Sequence, residues 1–181
     1  MKKGPRISEE HPGALHPIIT GDRIAERVAE LATRIRSDYE GKDFTIVAVM
    51  KGAIFFLVDL LRRIDLPARL DVVHVSSYAG AESSGAVEVL SGITLDIRNR
   101  DVLIVDDILD TGLTLRRVID EVNDRNPRSL KTCVLLSKRR RREVEIQPDY
   151  CGFEIADRYV VGYGLDHNDR YRHLPYVAAA E

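Results

Sequence analysis

The hydrophobic pattern of the chain alternates between two periods. FTIVAVM, residues 44 to 50, is a continuous apolar run of strand length, the pattern of a strand buried on both faces. RLDVVHV and SLKTCVLL are further strands, and DVLIVDD, residues 101 to 107, is a fourth. Between them the period lengthens. GDRIAERVAELATRIRSDYE places Ile24, Val28, Leu31, Ala32 and Ile35 at helical spacing, with Thr20 positioned as a cap. AIFFLVDLLRRI and GLTLRRVIDEVNDRN read as two more helices, and short strands are expected around GFEIA and RYVVGYG. SSYAGAESSGAVE, residues 76 to 88, has little to pack and reads as a long loop or flexible hairpin, the kind of segment that serves as a lid. Strands alternating with helices predict an α/β fold, a mainly parallel twisted sheet flanked by helices. Ligands of such sheets sit beyond the carboxyl ends of the strands.

One strand end is chemically unusual. Val102 to Val105 run into Asp106 and Asp107, and Asp110, Thr111, Gly112 and Thr114 follow at the start of a helix. Buried acids are costly without compensation. Here they suit a divalent metal, held directly or through water, or sugar hydroxyls. DTGLT lies where free backbone N–H groups point outward, Gly112 permits close approach, and the threonines add hydroxyls, which together make a phosphate cradle. Carboxylates beside a phosphate cradle describe a site for a phosphorylated sugar. A receiver domain also ends a strand in Asp-Asp, but needs that strand near its beginning, and this chain stops at Glu181. Capping alone would account for Asp110 and Thr111 but not for the preceding pair.

Composition narrows the partners. With 181 residues the length suits one domain, and a formal charge of -2 supplies no broad field for nucleic acid or anionic membrane. No 20-residue stretch is free of charge, so no membrane span is expected, and MKKGPRISEE lacks the apolar core of a signal peptide. Cys133 and Cys151 have neither CxxC nor metal-ligand spacing and read as free thiols in a reducing cytoplasm. His167 and His173 lack companions and read as surface residues. The run Lys138 to Arg142 is a solvated turn or a nucleic-acid patch. Lys51 interrupts an apolar region and reads as facing an anion.

VLIVDDILDTGLTL resembles the phosphoribosyl-pyrophosphate (PRPP) motif of type I phosphoribosyltransferases. VMKGAIFF, SSYAG, LLSKR and GFEIADRYVVGYGLDHNDRYR fall in the order of the family's hypoxanthine-guanine branch, and the likeness runs from HPIIT to LPYV. The resemblance implies one domain over residues 1–181, with a core of about 20–145 and a small hood built from the N-terminal segment and about 146–181. It implies purine salvage, in which the 5-phosphoribosyl group of PRPP passes to N9 of a 6-oxopurine, with Mg2+ as cofactor, cytoplasmic residence and a homodimer or homotetramer.

Residue by residue, the resemblance implies that Asp106 and Asp107 meet the ribose hydroxyls and a magnesium ion, and that Asp110 is the general base or acid at purine N7. Thr111, Gly112, Leu113 and Thr114 would hold the 5′-phosphate. Lys51, Gly52 and Arg172 would meet pyrophosphate, and the Met50–Lys51 peptide can be cis in such proteins. Lys138 would reach the purine O6, Tyr159 stack on the base, the Val160 backbone bond its edge, and Asp166 serve a second magnesium. Ser76, Ser77 and Tyr78 would begin the lid. Two departures stand out. Asp106-Asp107 occupies a place where many members have Glu-Asp, and Tyr159 stands where phenylalanine is frequent. Asp110 and Lys138 argue for a 6-oxo rather than a 6-amino purine. A PRPP-sensing nucleic-acid-binding regulator and a xanthine-preferring transferase are the alternatives.

Overall fold

The computed structural model describes residues 15–77 and 87–180. The chain order is β1 (Leu15–Ile19), α1 (Gly21–Tyr39), β2 (Phe44–Met50), α2 (Ile54–Ile64), β3 (Arg69–Ser77), β4 (Val87–Ser91), β5 (Asp101–Leu109), α3 (Leu113–Asn123), β6 (Ser129–Lys138), β7 (Tyr150–Ile155), β8 (Val160–Val161) and β9 (Val177–Ala180). Six strands form the main sheet in the order β4-β3-β2-β5-β6-β7, parallel except for the β3–β4 pair. A small antiparallel sheet, β1-β9-β8, joins the two ends of the described chain.

The apolar runs explain the layering. β2 is buried from Phe44 to Val49, and alternate residues feed two cores. Phe44, Ile46 and Ala48 join α1 and α2 on one face, while Val47 and Val49 join α3 and the Ile93–Ile97 segment on the other. α1 starts at Thr20, whose hydroxyl accepts from the Arg23 N–H, and buries Ile24, Val28, Leu31, Ala32, Ile35 and Tyr39. α2 buries Phe56, Leu57, Leu60 and Ile64, and ends on Asp65 in the left-handed region. No described helix is long and apolar enough to cross a membrane.

β4 pairs antiparallel with β3 from His74–Ser91 to Ser77–Val87, which agrees with the hairpin of the two readings of this stretch. Other elements differ from the sequence expectation. β7, grouped with the hood at about residue 146, is the edge strand of the main sheet instead, paired parallel with β6. Its register runs from Cys133–Tyr150 to Lys138–Ile155, and YCGFEI alternates buried with partly exposed positions at first rather than forming an unbroken apolar run. β1 and β9 are strands only because each pairs with the other end of the chain.

Parallel register aligns the strand ends that matter. Ala48 of β2 pairs with Val105, Asp106 with Val134 and Leu109 with Ser137. The residues following β2, the last turn of β5 and the end of β6 therefore emerge on one edge of the sheet.

Candidate active site

At that edge Asp106 is 4% exposed. Its Oδ1 accepts from the Asp107 N–H at 2.9 Å, and Asp107 Oδ1 accepts from the Ile108 N–H at 2.8 Å. Among the described residues no lysine or arginine lies within ion-pair distance of either carboxylate. Burial raises both carboxyls above their ordinary value, and for Asp106 the neighbouring Asp107 charge pushes the same way. Two buried carboxylates with no lysine or arginine in ion-pair contact fit a cation and sugar hydroxyls.

The Met50–Lys51 peptide is cis, and it leads into Gly52. A Cβ on Gly52 would stand 2.5 Å from Asp107 Cγ and closer still to Oδ2, so the turn after β2 lies directly on the acid. Lys51 itself is exposed, with its Nζ 3.6 Å from Asp169 Oδ1.

α3 begins beyond β5 without a side-chain cap and without an acid in its first turn, leaving its N-terminal amides for an anion. Gly112 has φ of 91°, a conformation that favours glycine, and a Cβ there would approach the Val144 carbonyl at 3.1 Å. The Thr111 carbonyl accepts from the Glu143 and Val144 N–H groups at 2.9 and 3.2 Å, and its hydroxyl accepts from the Leu113 N–H at 3.4 Å. Leu113 and Thr114 are half-buried at the helix start.

Asp110 and Lys138 form the charged centre of the site. The buried Lys138 Nζ donates to Asp110 Oδ2 at 3.2 Å. Arg141 approaches the same oxygen at 3.5 Å and also faces Asp157 at 3.8 Å. Asp110 Oδ1 is buried without a hydrogen-bond partner. One carboxylate oxygen is thus held by cations while the other is open to accept a hydrogen bond. Arg141 has no distinguishing sequence signal, since the basic run gives each of its members equal weight. Much of that run is engaged within the protein. Arg139 pairs with Glu154, and Arg142 bonds the Ile146 carbonyl, the Lys138 carbonyl at 3.1 Å and Ser137 Oγ at 2.8 Å, folding the 138–146 loop that carries Lys138.

The fourth part comes from the C-terminal segment. Arg172 binds the Gly164 carbonyl at 2.6 Å and Asp166 Oδ1 at 2.7 Å, with Asp169 Oδ1 at 3.3 Å. Gly164, at φ of 102°, abuts the Gly52 carbonyl, so this segment rests on the Lys51–Gly52 turn. Tyr159 is 42% exposed, and its hydroxyl donates to the Asp166 carbonyl at 3.0 Å. Val160 lies in β8, an edge strand of the small sheet. His167, read from sequence as a surface residue, is half-buried, with its ring edge-on to Tyr159 at 5.5 Å. No group of three or more His, Cys, Asp or Glu gathers as a metal cage among the described residues, and Asp166 has Arg172 as its partner. Asp106 and Asp107 would suit a divalent cation that drew its other ligands from water or substrate. Of the expected lid, Tyr78 lies outside the described residues, and Ser76 and Ser77 end β3. Both cysteines are free.

Residues 18–168 match the family model of the phosphoribosyl transferase domain. A hypoxanthine-guanine phosphoribosyltransferase of Mycobacterium tuberculosis is 40% identical over 184 residues, covering 97% of this chain and 91% of that protein. The bifunctional protein TilS/HprT of Listeria monocytogenes is 42% identical over 161 residues, covering 88% of this chain; the match spans 25% of that relative's length. The crystal structure of a hypoxanthine phosphoribosyltransferase from Staphylococcus aureus superposes with a TM-score of 0.87 at 39% identity, covering 92% of this chain and 91% of that one.

Proposed function

The chain belongs to the phosphoribosyltransferase family, in its hypoxanthine-guanine branch, and on that footing we propose that it transfers the 5-phosphoribosyl group of PRPP to N9 of hypoxanthine or guanine, releasing pyrophosphate. The observation that carries this reading is the Asp110–Lys138 pair, in which the second oxygen of Asp110 has no partner.

The residues divide the work as follows. The α3 N-terminus, with Thr111, Gly112, Leu113 and Thr114, receives the 5′-phosphate on backbone amides and hydroxyls. Asp106 and Asp107 accept from the ribose hydroxyls and would hold magnesium, which would supply positive charge against the negative charge of the departing pyrophosphate. Lys51, the Gly52 amide and Arg172 orient the pyrophosphate, and Asp166 keeps Arg172 in place or serves a second magnesium. Tyr159 covers the base, the Val160 backbone bonds its edge, and Lys138 donates to O6. Asp110 takes the proton from N7 as N9 attacks C1′ and the pyrophosphate oxygen leaves. No covalent enzyme intermediate is needed, so catalysis consists of positioning, charge stabilisation and one proton transfer. Ser76, Ser77 and Tyr78 open the segment that excludes water from the electrophilic sugar.

Lys138, Arg139, Arg141 and Arg142 are held by Asp110, Glu154, Asp157 and their own loop, which weighs against a nucleic-acid-binding regulator. Xanthine use turns on backbone contacts to the base edge. One functional unit of residues 1–181, a homodimer or homotetramer, and cytoplasmic residence belong to the same proposal. The test is pyrophosphate release from PRPP and magnesium. Release that requires hypoxanthine or guanine and stops with a chelator supports the reading; base-independent release contradicts it.

A further inference from the structure

α2 and the C-terminal segment meet at a contact that none of the roles above uses. Tyr163 is 7% exposed and lies at φ of 49°, between Gly162 at 95° and Gly164 at 102°. A side chain in the left-handed region is strained, so a non-glycine residue there needs compensation. The flanking glycines cannot be replaced freely, because a Cβ on Gly162 would meet the Tyr176 carbonyl and one on Gly164 the Gly52 carbonyl. Between them the Tyr163 side chain crosses to α2. Its hydroxyl donates to Asp59 Oδ2 at 2.6 Å, and its ring lies 6.4 Å from that of Phe55. Its backbone N–H donates to the Leu174 carbonyl at 2.8 Å, and the Gly164 N–H donates to the Arg172 carbonyl at 3.0 Å.

Both ends of this contact lead to the pyrophosphate side of the site. α2 starts two residues after Gly52, and the Ile54 N–H donates to the Lys51 carbonyl at 3.3 Å, so α2 and the Lys51–Gly52 turn are linked. On the other side Arg172 grips the Gly164 carbonyl, one residue from Tyr163. We propose that Asp59 and Tyr163 are positioning residues: their hydrogen bond latches the 162–172 segment to α2 and thereby fixes Arg172 and Gly164 over the Lys51–Gly52 turn where pyrophosphate binds. Neither residue touches substrate. The latch acts through Arg172, so its loss weakens capture of the pyrophosphate end more than capture of the purine.

This inference rests on the PRPP-dependent reading, and the test separates the two. Tyr163→Phe keeps the ring and its burial while removing the hydroxyl. It is expected to raise KM for PRPP about three- to tenfold, and KM for pyrophosphate in the reverse reaction alike, with KM for hypoxanthine within about twofold. Asp59→Ala, on the half-exposed side of α2, is expected to match it, and the double variant to be no worse than either single one. Asp59→Asn, whose amide oxygen still accepts from Tyr163, is expected to remain within about twofold of the parent. Unchanged KM for PRPP, equal rises for both substrates, or additive effects in the double variant would overturn the latch. Absence of PRPP-dependent turnover in the parent protein would instead overturn the functional reading itself.

Discussion

Gly52→Ala tests the packing of the site with one added carbon. Gly52 does not have a positive φ, so alanine fits its backbone conformation and only space is at issue. The new Cβ would stand 2.5 Å from Asp107 Cγ, whereas unstrained carbon contacts lie at about 3.5–4.0 Å, so the carboxylate must retreat by about 1 Å or more. It is poorly placed to do so, because Asp107 Oδ1 is already bonded to the Ile108 N–H. Overpacking of this kind costs about 1–3 kcal/mol, a fall of about 5 °C in melting temperature for a chain of this size. The functional loss is larger. A displacement of about 1 Å at a reacting centre costs about 100-fold, and kcat/KM for PRPP is expected to fall by that order. Steady-state kinetics with varied PRPP, alongside calorimetry, reads both effects. Gly41→Ala serves as a control for stability: Gly41 has φ of 73° with open space around its Cβ direction, so that variant loses stability and retains kcat/KM. A Gly52→Ala enzyme with kcat/KM for PRPP within about twofold of the parent would refute the reasoning.

Other consequences follow from the same geometry. Asp110→Asn removes the proton acceptor while preserving shape, and kcat is expected to fall about 10²- to 10⁴-fold in single-turnover assays; unchanged turnover would sink its assignment as the base. Lys138→Met removes the donor proposed for O6, so kcat/KM for hypoxanthine should fall about 100-fold or more while that for adenine does not; parallel losses for both bases would contradict the specificity argument. Because Asp106 is raised well above its ordinary 3.8 when folded, the folded protein retains a proton that the unfolded chain has released. Its contribution to stability is fully present below 3.8 and is lost as pH rises through the raised value. Asp106→Asn should therefore gain melting temperature relative to the parent as pH increases without metal, and a difference constant across pH would count against burial of the charge.

The sequence makes the centre of this molecule legible because β2 and β5 are buried on both faces, which forces unbroken apolar runs that end where the sheet ends. The acids and hydroxyls after Val105 then stand out against that background. β4 and β7 are less legible because edge strands need only one buried face, and YCGFEI mixes polar with apolar positions. β1 and β9 depend on pairing between residues as far apart as Leu15 and Ala180, which no local pattern encodes. In the site, Lys138 stands out by its place at the end of a strand. Arg141 differs from its basic neighbours only through the fold of the 138–146 loop, which turns it toward Asp110. Asp59 and Tyr163 likewise look like an ordinary helix surface residue and an ordinary core tyrosine until the chain brings them together.

The most direct test of the central claim is a competition. Equal concentrations of hypoxanthine, guanine, xanthine and adenine are incubated with the protein, limiting PRPP and magnesium, and the nucleotides are separated by chromatography. The Asp110–Lys138 pair predicts IMP and GMP as the main products and adenine left unreacted. AMP as the main product, or PRPP left intact with every base, would contradict the account.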